Sequence, residues 1–258
     1  MLSPDILVGF LLQMVGGRSL QVGLDQFFSA LGGGATLARE ITKSALSQAR
    51  KKLLPSALAA LGALWVREWL AATGEHKWHG LRVVAADGTC VRVPRWRETR
   101  EAYGVDGPNG DGSVAMARVV GLLAVASNQI VHAEIGAYTQ GERSLLVRAL
   151  TALSAHDLLV LDRGYSAWWL FALFGQRCTA FCARLESCGC ASFQVKQFIR
   201  SGAAEQVIEH KLSSKALARL RQAGGAAQPG TVLRASRCCS SLPSRRIAQT
   251  PSLPKPRH

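Results

Sequence analysis

The order of apolar and polar positions divides the chain into a helical N-terminal part and a strand-rich central part. Through residues 1–75, apolar side chains recur at intervals of three and four, which places them on one face of a helix. The clearest series consists of Leu20, Leu24, Phe27, Phe28 and Leu31. From residue 81 onward the apolar residues form short runs between turn residues, a pattern typical of strands.

The helix predicted over residues 42–54 has an apolar side and a polar, basic side. The segment Thr42-Lys43-Ser44 is a suitable N-cap region, and Pro55 ends the helix at Leu54. The outward positions are Ser44, Ser47, Gln48, Arg50, Lys51 and Lys52. Because hydroxyl and amide groups reach base edges and cations neutralise phosphates, this side predicts a contact with double-stranded DNA. The residues by themselves favour the alternative, a solvated basic surface.

The central part is predicted to be a mixture of strands and helices. Strands are predicted over residues 81–86, 90–93, 115–125, 129–135, 158–161 and 179–185. Amphipathic spacing predicts helices over 142–153 and 166–174, and a polar, glycine-rich loop fills 94–113. Strands followed by alternating helix and strand indicate an α/β domain.

Two of these apolar runs end in an aspartate. Residues 81–86 lead into Asp87, and residues 158–161 lead into Asp162. If both strands belong to one sheet, their carboxylates meet at one edge, where they repel each other unless a cation lies between them. The pair therefore predicts a site for a divalent metal ion. The alternative for each aspartate is that it opens a turn or caps a helix.

The segments around the two aspartates occur together with two others in a fixed order. They are ITKSALSQARKKL (41–53), DGT (87–89), GERSLLVRAL (141–150) and DRGY (162–165). Over about residues 35–220 this ordered set resembles the IS4 family of transposases. The resemblance implies an α/β fold with an RNase H-like mixed-sheet core, preceded by a small helical DNA-binding domain.

The same resemblance implies roles for particular residues. Asp87 and Asp162 would be catalytic and would hold Mg²⁺ or Mn²⁺, with Asp87 bridging two ions. Arg163 and Tyr165 would contact the DNA backbone or orient Asp162. The alternative is structural: an ion pair for the arginine and a ring packed under the following helix for the tyrosine. The implied partners are transposon ends and target DNA, and a homodimer would assemble on them.

The third acid of the family's site has no match. In the family a glutamate follows in a Tyr-Arg-Glu-Lys pattern, which this chain lacks. The available glutamates are Glu186, Glu205 and Glu209 downstream, and Glu142 in the helix between the two aspartates. The chain is therefore expected to be an IS4-type transposase that is truncated and inactive in strand cleavage and transfer. The alternative is a DNA-binding remnant that occupies transposon ends, and an unrelated RNase H-like nuclease is disfavoured by the helices before the core.

Charge and composition extend the prediction to four segments. The formal net charge is +14, and ten of the basic residues follow Glu209 with no acid among them, so subtracting ten leaves only +4 for residues 1–210. We predict a helical domain over 1–75, the core over 80–186, the start of a β-rich insertion over 187–222, and a disordered basic tail over 223–258. The tail is rich in proline and lacks an apolar period, which favours a shifted reading frame as its origin.

Cysteine content and hydropathy indicate a cytoplasmic protein. The seven cysteines are an odd number, which argues against a disulfide framework. A zinc site over 178–190 is disfavoured because its cysteine spacing lacks the usual C-x2-C unit. Residues 6–15 are apolar but shorter than the ~18 residues of a membrane-spanning helix, so no membrane partner is expected.

Overall fold

The computed structural model describes residues 3–14, 19–32, 41–73, 77–107, 114–185, 193–203, 206–235, 238–239 and 246–249. The chain divides into two compact units, Met1–Trp65 and Val66–His258. Their boundary falls inside a long helix rather than at residue 75.

The first unit is helical, as predicted. Its helices are α1 (Pro4–Gln13), α2 (Leu20–Leu31), α3 (Lys43–Lys52) and the first part of α4 (Pro55–Thr73). Four buried side chains form its core: Leu7, Phe10, Leu24 and Leu46. The side chain of Thr42 caps α3 by accepting a hydrogen bond from the Ala45 N–H at 3.2 Å, which confirms the predicted cap.

The second unit is built on a mixed β-sheet. Its long strands are β1 (Arg82–Arg92), β3 (Val114–Ala124), β4 (Gln129–Ala137), β5 (Asp157–Leu161) and β6 (Ala180–Arg184), and the short ones are β2 (Val105–Asp106), β7 (Ile208–Lys211), β8 (Val232–Ala235), β9 (Cys238–Cys239) and β10 (Arg246–Gln249). The main sheet has the order β2-β3-β1-β5-β6-β10-β9, with β4 also paired to β3. β1 pairs antiparallel with β3 and parallel with β5, and β5 pairs parallel with β6. These orders and directions confirm the predicted RNase H-like core.

A hydrophobic core joins the sheet to the helices that follow α5 (Arg97–Tyr103), which itself buries no residue. These helices are α6 (Glu142–Ala149), α7 (Trp168–Gln176), α8 (Phe193–Ser201) and α9 (Ser214–Gln222). Residues of β1, β5, α6 and α7 share a single buried cluster, in which Phe171 stacks on Phe181 of β6 at 5.0 Å. A fully buried side chain of this size contributes roughly 1.5–3 kcal/mol, so the cluster holds β1 and β5 in fixed positions.

A buried ion pair joins the N-terminal ends of β1 and β5. The Arg82 guanidinium donates two hydrogen bonds to the Asp157 carboxylate, at 2.7 and 2.8 Å, and only 1% of the Asp157 side chain is exposed. Burial raises the pKa of Asp157, but the hydrogen bonds from Arg82 and from Ser154 outweigh it and hold the pKa below its usual value. Asp157 therefore stays charged and fixes the register of the two strands.

The structure differs from the sequence prediction in the strand that carries Asp87. Residues 82–92 form one continuous strand, not two strands separated by a turn. The antiparallel pairing with β3 runs without interruption from Val84 to Arg92, whereas the parallel pairing with β5 stops at Ala86. Asp87 therefore lies in mid-strand, beside the point where its parallel neighbour ends.

Three further segments differ from the prediction. The loop over 94–113 contains α5 and β2, and the region 193–222, predicted to be β-rich, consists mainly of α8 and α9. Each of these two helices buries residues three apart, Val195 with Phe198 and Leu217 with Leu220. The prediction of a disordered tail from residue 223 is wrong for β8, which pairs with β7 and buries Leu233. It is also wrong for β10, which pairs with β6, and for β9, which pairs with β10. Residues 236–237, 240–245 and 250–258 of that tail lie outside the described residues.

Two observations bear on the remaining predictions. Among the described helices none alone is long and apolar enough to cross a bilayer. Helix α3 and the segment Pro55–Ala72 reach that length and hydropathy only together, and they are bent by 78° where they meet. Of the cysteines considered for zinc, Cys178 is an exposed free thiol and Cys182 lies on β6, whereas Cys188 and Cys190 lie outside the described residues.

Candidate active site

The sheet places Asp87 and Asp162 on neighbouring strands. Ala86 of β1 is the parallel partner of Leu161 of β5, and each aspartate is the next residue along its strand. Neighbouring strands lie about 4.8 Å apart, so the backbone of Asp87 on β1 and that of Asp162, directly after β5, leave neighbouring positions of the sheet. Both side chains are exposed, which leaves them accessible to a metal ion and to a nucleic acid.

Each carboxylate uses one oxygen for a local hydrogen bond. Oδ1 of Asp87 accepts the Gly88 N–H at 2.8 Å, and Oδ1 of Asp162 accepts the Gly164 N–H at 2.8 Å. Asp162 thus opens the 3-10 turn Arg163–Tyr165, as the alternative interpretation of this residue expected. A carboxylate has a second acceptor oxygen, and within the described residues Oδ2 of neither aspartate accepts a hydrogen bond.

A third carboxylate, Glu142, lies beside this pair. It is the first residue of α6, and its side chain covers Gly88, the neighbour of Asp87. A Cβ atom added at Gly88 would lie 2.5 Å from Glu142 Cδ, so Gly88 leaves the space that this carboxylate fills. Glu142 Oε1 accepts a hydrogen bond from Arg118 Nη1 of β3 at 3.2 Å, which balances its charge.

The Tyr165 ring is packed beneath the three acids. It is 1% exposed, and among the described residues its hydroxyl has no hydrogen-bond partner. Burial raises the pKa of Tyr165 well above its usual value, and the charges of Glu142, Asp87 and Asp162 raise it further. The predicted contact of Tyr165 with a DNA backbone does not fit this burial; the ring packs in the core instead. Arg163 is exposed, as a DNA contact requires.

The described carboxylates do not form a complete three-residue metal site. No three His, Cys, Asp or Glu side chains among the described residues are grouped closely enough to hold an ion. Glu209 lies on β7, and Glu186 and Glu205 fall outside the part of the chain that the structure describes. The oxygen donors of Asp87 and Asp162 nevertheless suit a hard cation such as Mg²⁺.

The outer side of α3 is open to solvent. All six residues predicted to contact DNA are exposed: Ser44, Ser47, Gln48, Arg50, Lys51 and Lys52. The inner side carries Leu46, which is completely buried. The predicted division of this helix into an apolar and a polar side is confirmed, and its contact with DNA stays a prediction.

The structure adds Arg143 to the residues that shape the site. Its guanidinium donates hydrogen bonds to the Gly164 carbonyl at 3.0 and 2.7 Å and to the Ser166 carbonyl at 3.4 Å. These bonds tie α6 to the turn that follows Asp162 and so fix the direction of that carboxylate. Arg143 belongs to the GERSLLVRAL segment, but no pattern in the sequence indicated which carbonyl it would reach.

Comparisons with known proteins give only distant similarities. No protein-family model and no curated protein matches the chain. A solved piggyBac transposase synaptic complex with hairpin DNA is similar at a TM-score of 0.33 and 7% identity, over 67% of this chain and 35% of that one. Endonuclease V of Ciona intestinalis, bound to a 24mer DNA with an inosine followed by a ribo-adenosine, is similar at a TM-score of 0.28 and 12% identity, over 72% and 82% of the two chains.

The chain thus spans about a third of the length of the piggyBac transposase structure. TM-scores this low assign neither fold nor function. The RNase H-like topology rests on the order and direction of the strands, and the candidate site rests on the two aspartates that the strands bring together.

Proposed function

We propose that this chain is a DNA-acting protein of the IS4 transposase type whose strand-cleavage site is incomplete. The observation that supports the proposal is the parallel pairing of β1 with β5, whose last paired residues, Ala86 and Leu161, directly precede Asp87 and Asp162. The ordered DGT and DRGY segments support the IS4 type in particular. In this proposal Asp87 and Asp162 together hold Mg²⁺ or Mn²⁺ against a phosphate of the bound strand.

The remaining residues of the site position this pair. Arg143 holds the turn after Asp162, and the Tyr165 ring supports that turn from below. A bound divalent ion would activate a water molecule and stabilise the charge on the leaving oxygen. Glu142 is engaged with Arg118 and does not complete a group of three acids among the described residues. The alternative function is that of a remnant that occupies transposon ends. It would make the same DNA contacts but would catalyse no reaction.

Metal binding tests the pairing of the two aspartates. We expect Asp87→Asn and Asp162→Asn each to weaken Mn²⁺ binding by at least about 10-fold, because even outer-shell partners contribute 10–100-fold to metal affinity. The measurement is electron paramagnetic resonance of free Mn²⁺ during titration of the protein. Glu98→Gln removes an exposed carboxylate from α5 and serves as the control. Equal affinity in all four proteins would rule out a shared metal site at these aspartates.

DNA binding tests the predicted role of α3. We expect the triple variant Arg50→Ala, Lys51→Ala, Lys52→Ala to lower the slope of log affinity against log salt by up to about 2.7, since each phosphate contact on duplex DNA contributes about 0.9. The measurement is fluorescence anisotropy with a labelled duplex from 50 to 200 mM salt. The charge-conserving triple Arg50→Lys, Lys51→Arg, Lys52→Arg should keep the slope. An unchanged slope in the alanine triple would show that α3 is only a solvated surface.

A further inference from the structure

A basic cleft lies next to the candidate active site, between α6 and α9. Its volume is about 870 Å³. Its charged lining consists of Arg118, Arg143, Arg148, Arg219 and Glu142. Four positive charges face one negative charge, so the cleft has an excess of positive charge that favours an anion.

Three of the four arginines already have partners. Arg118 pairs with Glu142 at 3.2 Å, and Arg143 is bound to the carbonyl of Gly164. Arg148 pairs with Glu134 at 3.1 Å, outside the lining of the cleft. Arg219 of α9 is exposed and makes no ion pair or hydrogen bond with the described residues. Its guanidinium is therefore available to a ligand.

Arg219 also leaves a like-charge repulsion in the cleft. Burial lowers the pKa of Arg143, and the positive charge of Arg219 lowers it further. The negative charges of Glu142 and Asp162 offset part of this effect on the pKa of Arg143, and the main-chain carbonyl that Arg143 contacts is neutral. An anion held between the two guanidinium groups would relieve the repulsion and take charge-assisted hydrogen bonds from both.

Trp169 is an independent sign of a missing acceptor. It lines the cleft, is only 8% exposed, and its indole N–H has no hydrogen-bond partner among the described residues. A buried donor without an acceptor is unfavourable, and native structures avoid it. The indole nitrogen is itself buried, so a ligand oxygen could reach this donor only after the ring shifts toward the cleft.

The cleft adjoins the two catalytic candidates. Gly164 lines it and lies two residues after Asp162. Glu142 also lines it and covers Gly88, the residue next to Asp87. The cleft therefore borders residues that flank both aspartates.

We propose that the cleft between α6 and α9 is a phosphate site, which binds a backbone phosphate of the DNA strand held at Asp87 and Asp162 through Arg219 and Arg143, with the Trp169 ring at its wall. This inference rests on the proposed function, since it makes DNA the source of the phosphate. A contact of this kind fixes the register of the strand without reading its sequence.

The first test compares two charge deletions on the same helix. Arg219→Ala should weaken binding of a labelled 30-base-pair duplex by about 10-fold, as expected for loss of charge-assisted hydrogen bonds, and should lower the salt slope by about 0.9. Lys215→Ala removes an exposed charge of α9 that lies outside the cleft. It should change the duplex affinity and the salt slope less than Arg219→Ala does. Equal effects of the two variants would overturn the proposal. Binding is measured in EDTA, so the result does not depend on whether Asp87 and Asp162 hold a metal.

The second test follows the Trp169 N–H directly. In the ¹⁵N-labelled chain its indole resonance is identified by its loss in Trp169→Phe and is then followed during titration with the duplex or with inorganic phosphate. If the indole resonance shifts with the duplex alone and Arg219→Ala abolishes the shift, the cleft binds a backbone phosphate of DNA. A shift with inorganic phosphate alone shows a site for free phosphate and overturns the DNA source, while leaving the metal site open. No shift with either probe overturns the phosphate site.

Discussion

The purified chain, given Mg²⁺ or Mn²⁺ and duplex DNA from the flanks of its own coding sequence, should bind the DNA and leave both strands uncut. In-line phosphoryl transfer needs charge stabilisation on the attacking and on the leaving oxygen, which two metal ions at a fixed spacing supply. Asp87 and Asp162 can share one ion, but the described residues contain no group of three ligands for the pair of ions. Gel electrophoresis of end-labelled strands is the measurement.

The expected loss is large because phosphoryl transfer depends on position. A misplacement of about 1 Å can cost on the order of 100-fold in rate, and the loss of a ligand should cost more. The Asp87→Ala variant gives the background level of DNA cleavage, and the unmodified chain should cut no more DNA than this variant. Efficient cleavage that vanishes in Asp87→Ala would contradict the prediction. It would mean that Glu142, Glu186, Glu205 or Glu209 supplies the third carboxylate, and glutamine variants of these four would identify it.

The positions of Asp87 and Asp162 next to strands could be predicted from the sequence because each follows a short apolar run. The apolar runs identify the strands, and alternation along them sets which residues face the core. The sequence could not show that Asp87 lies within a continuous strand, because its pairing there depends on β3, which is distant in the chain. For the same reason the Gly88–Glu142 contact was not predictable: it joins residues that only the folded sheet brings together.

The segments after residue 186 were harder to predict for a physical reason. Helices α8 and α9 are nine residues each, so their apolar period is sampled over little more than two turns. β8 has four residues, and it is stabilised by pairing with β7 and by burial of Leu233 rather than by a local signal. Short elements whose stability comes from tertiary contacts leave a weak pattern in the sequence.

Removal of Arg82 should be the most destabilising charge change in the second unit. Arg82→Ala leaves the carboxylate of Asp157 buried without its main partner, which is expected to cost about 3–5 kcal/mol in the free energy of unfolding. Arg67→Ala breaks an exposed pair with Glu68, whose side chains are 73% and 64% exposed, and should cost about 0–1 kcal/mol. Urea unfolding followed by tryptophan fluorescence compares the two variants. A cost for Arg82→Ala as small as that for Arg67→Ala would show that the pair does not hold β1 against β5.

The pH dependence of the same pair separates charge from packing. The pKa of Asp157 is lower in the folded chain than the value of about 3.9 for an unfolded aspartate, so its stabilising contribution is complete above pH ~4 and is lost as the pH falls through the folded pKa. The double variant Arg82→Met, Asp157→Asn removes both charges but keeps an acceptor for the Ser154 N–H. It should be more stable than Arg82→Ala at pH 7, because no charge is left buried without a partner. Below pH 4 the unmodified chain should lose stability faster than the double variant, and parallel curves would show that the ion pair is not the source of the acid sensitivity.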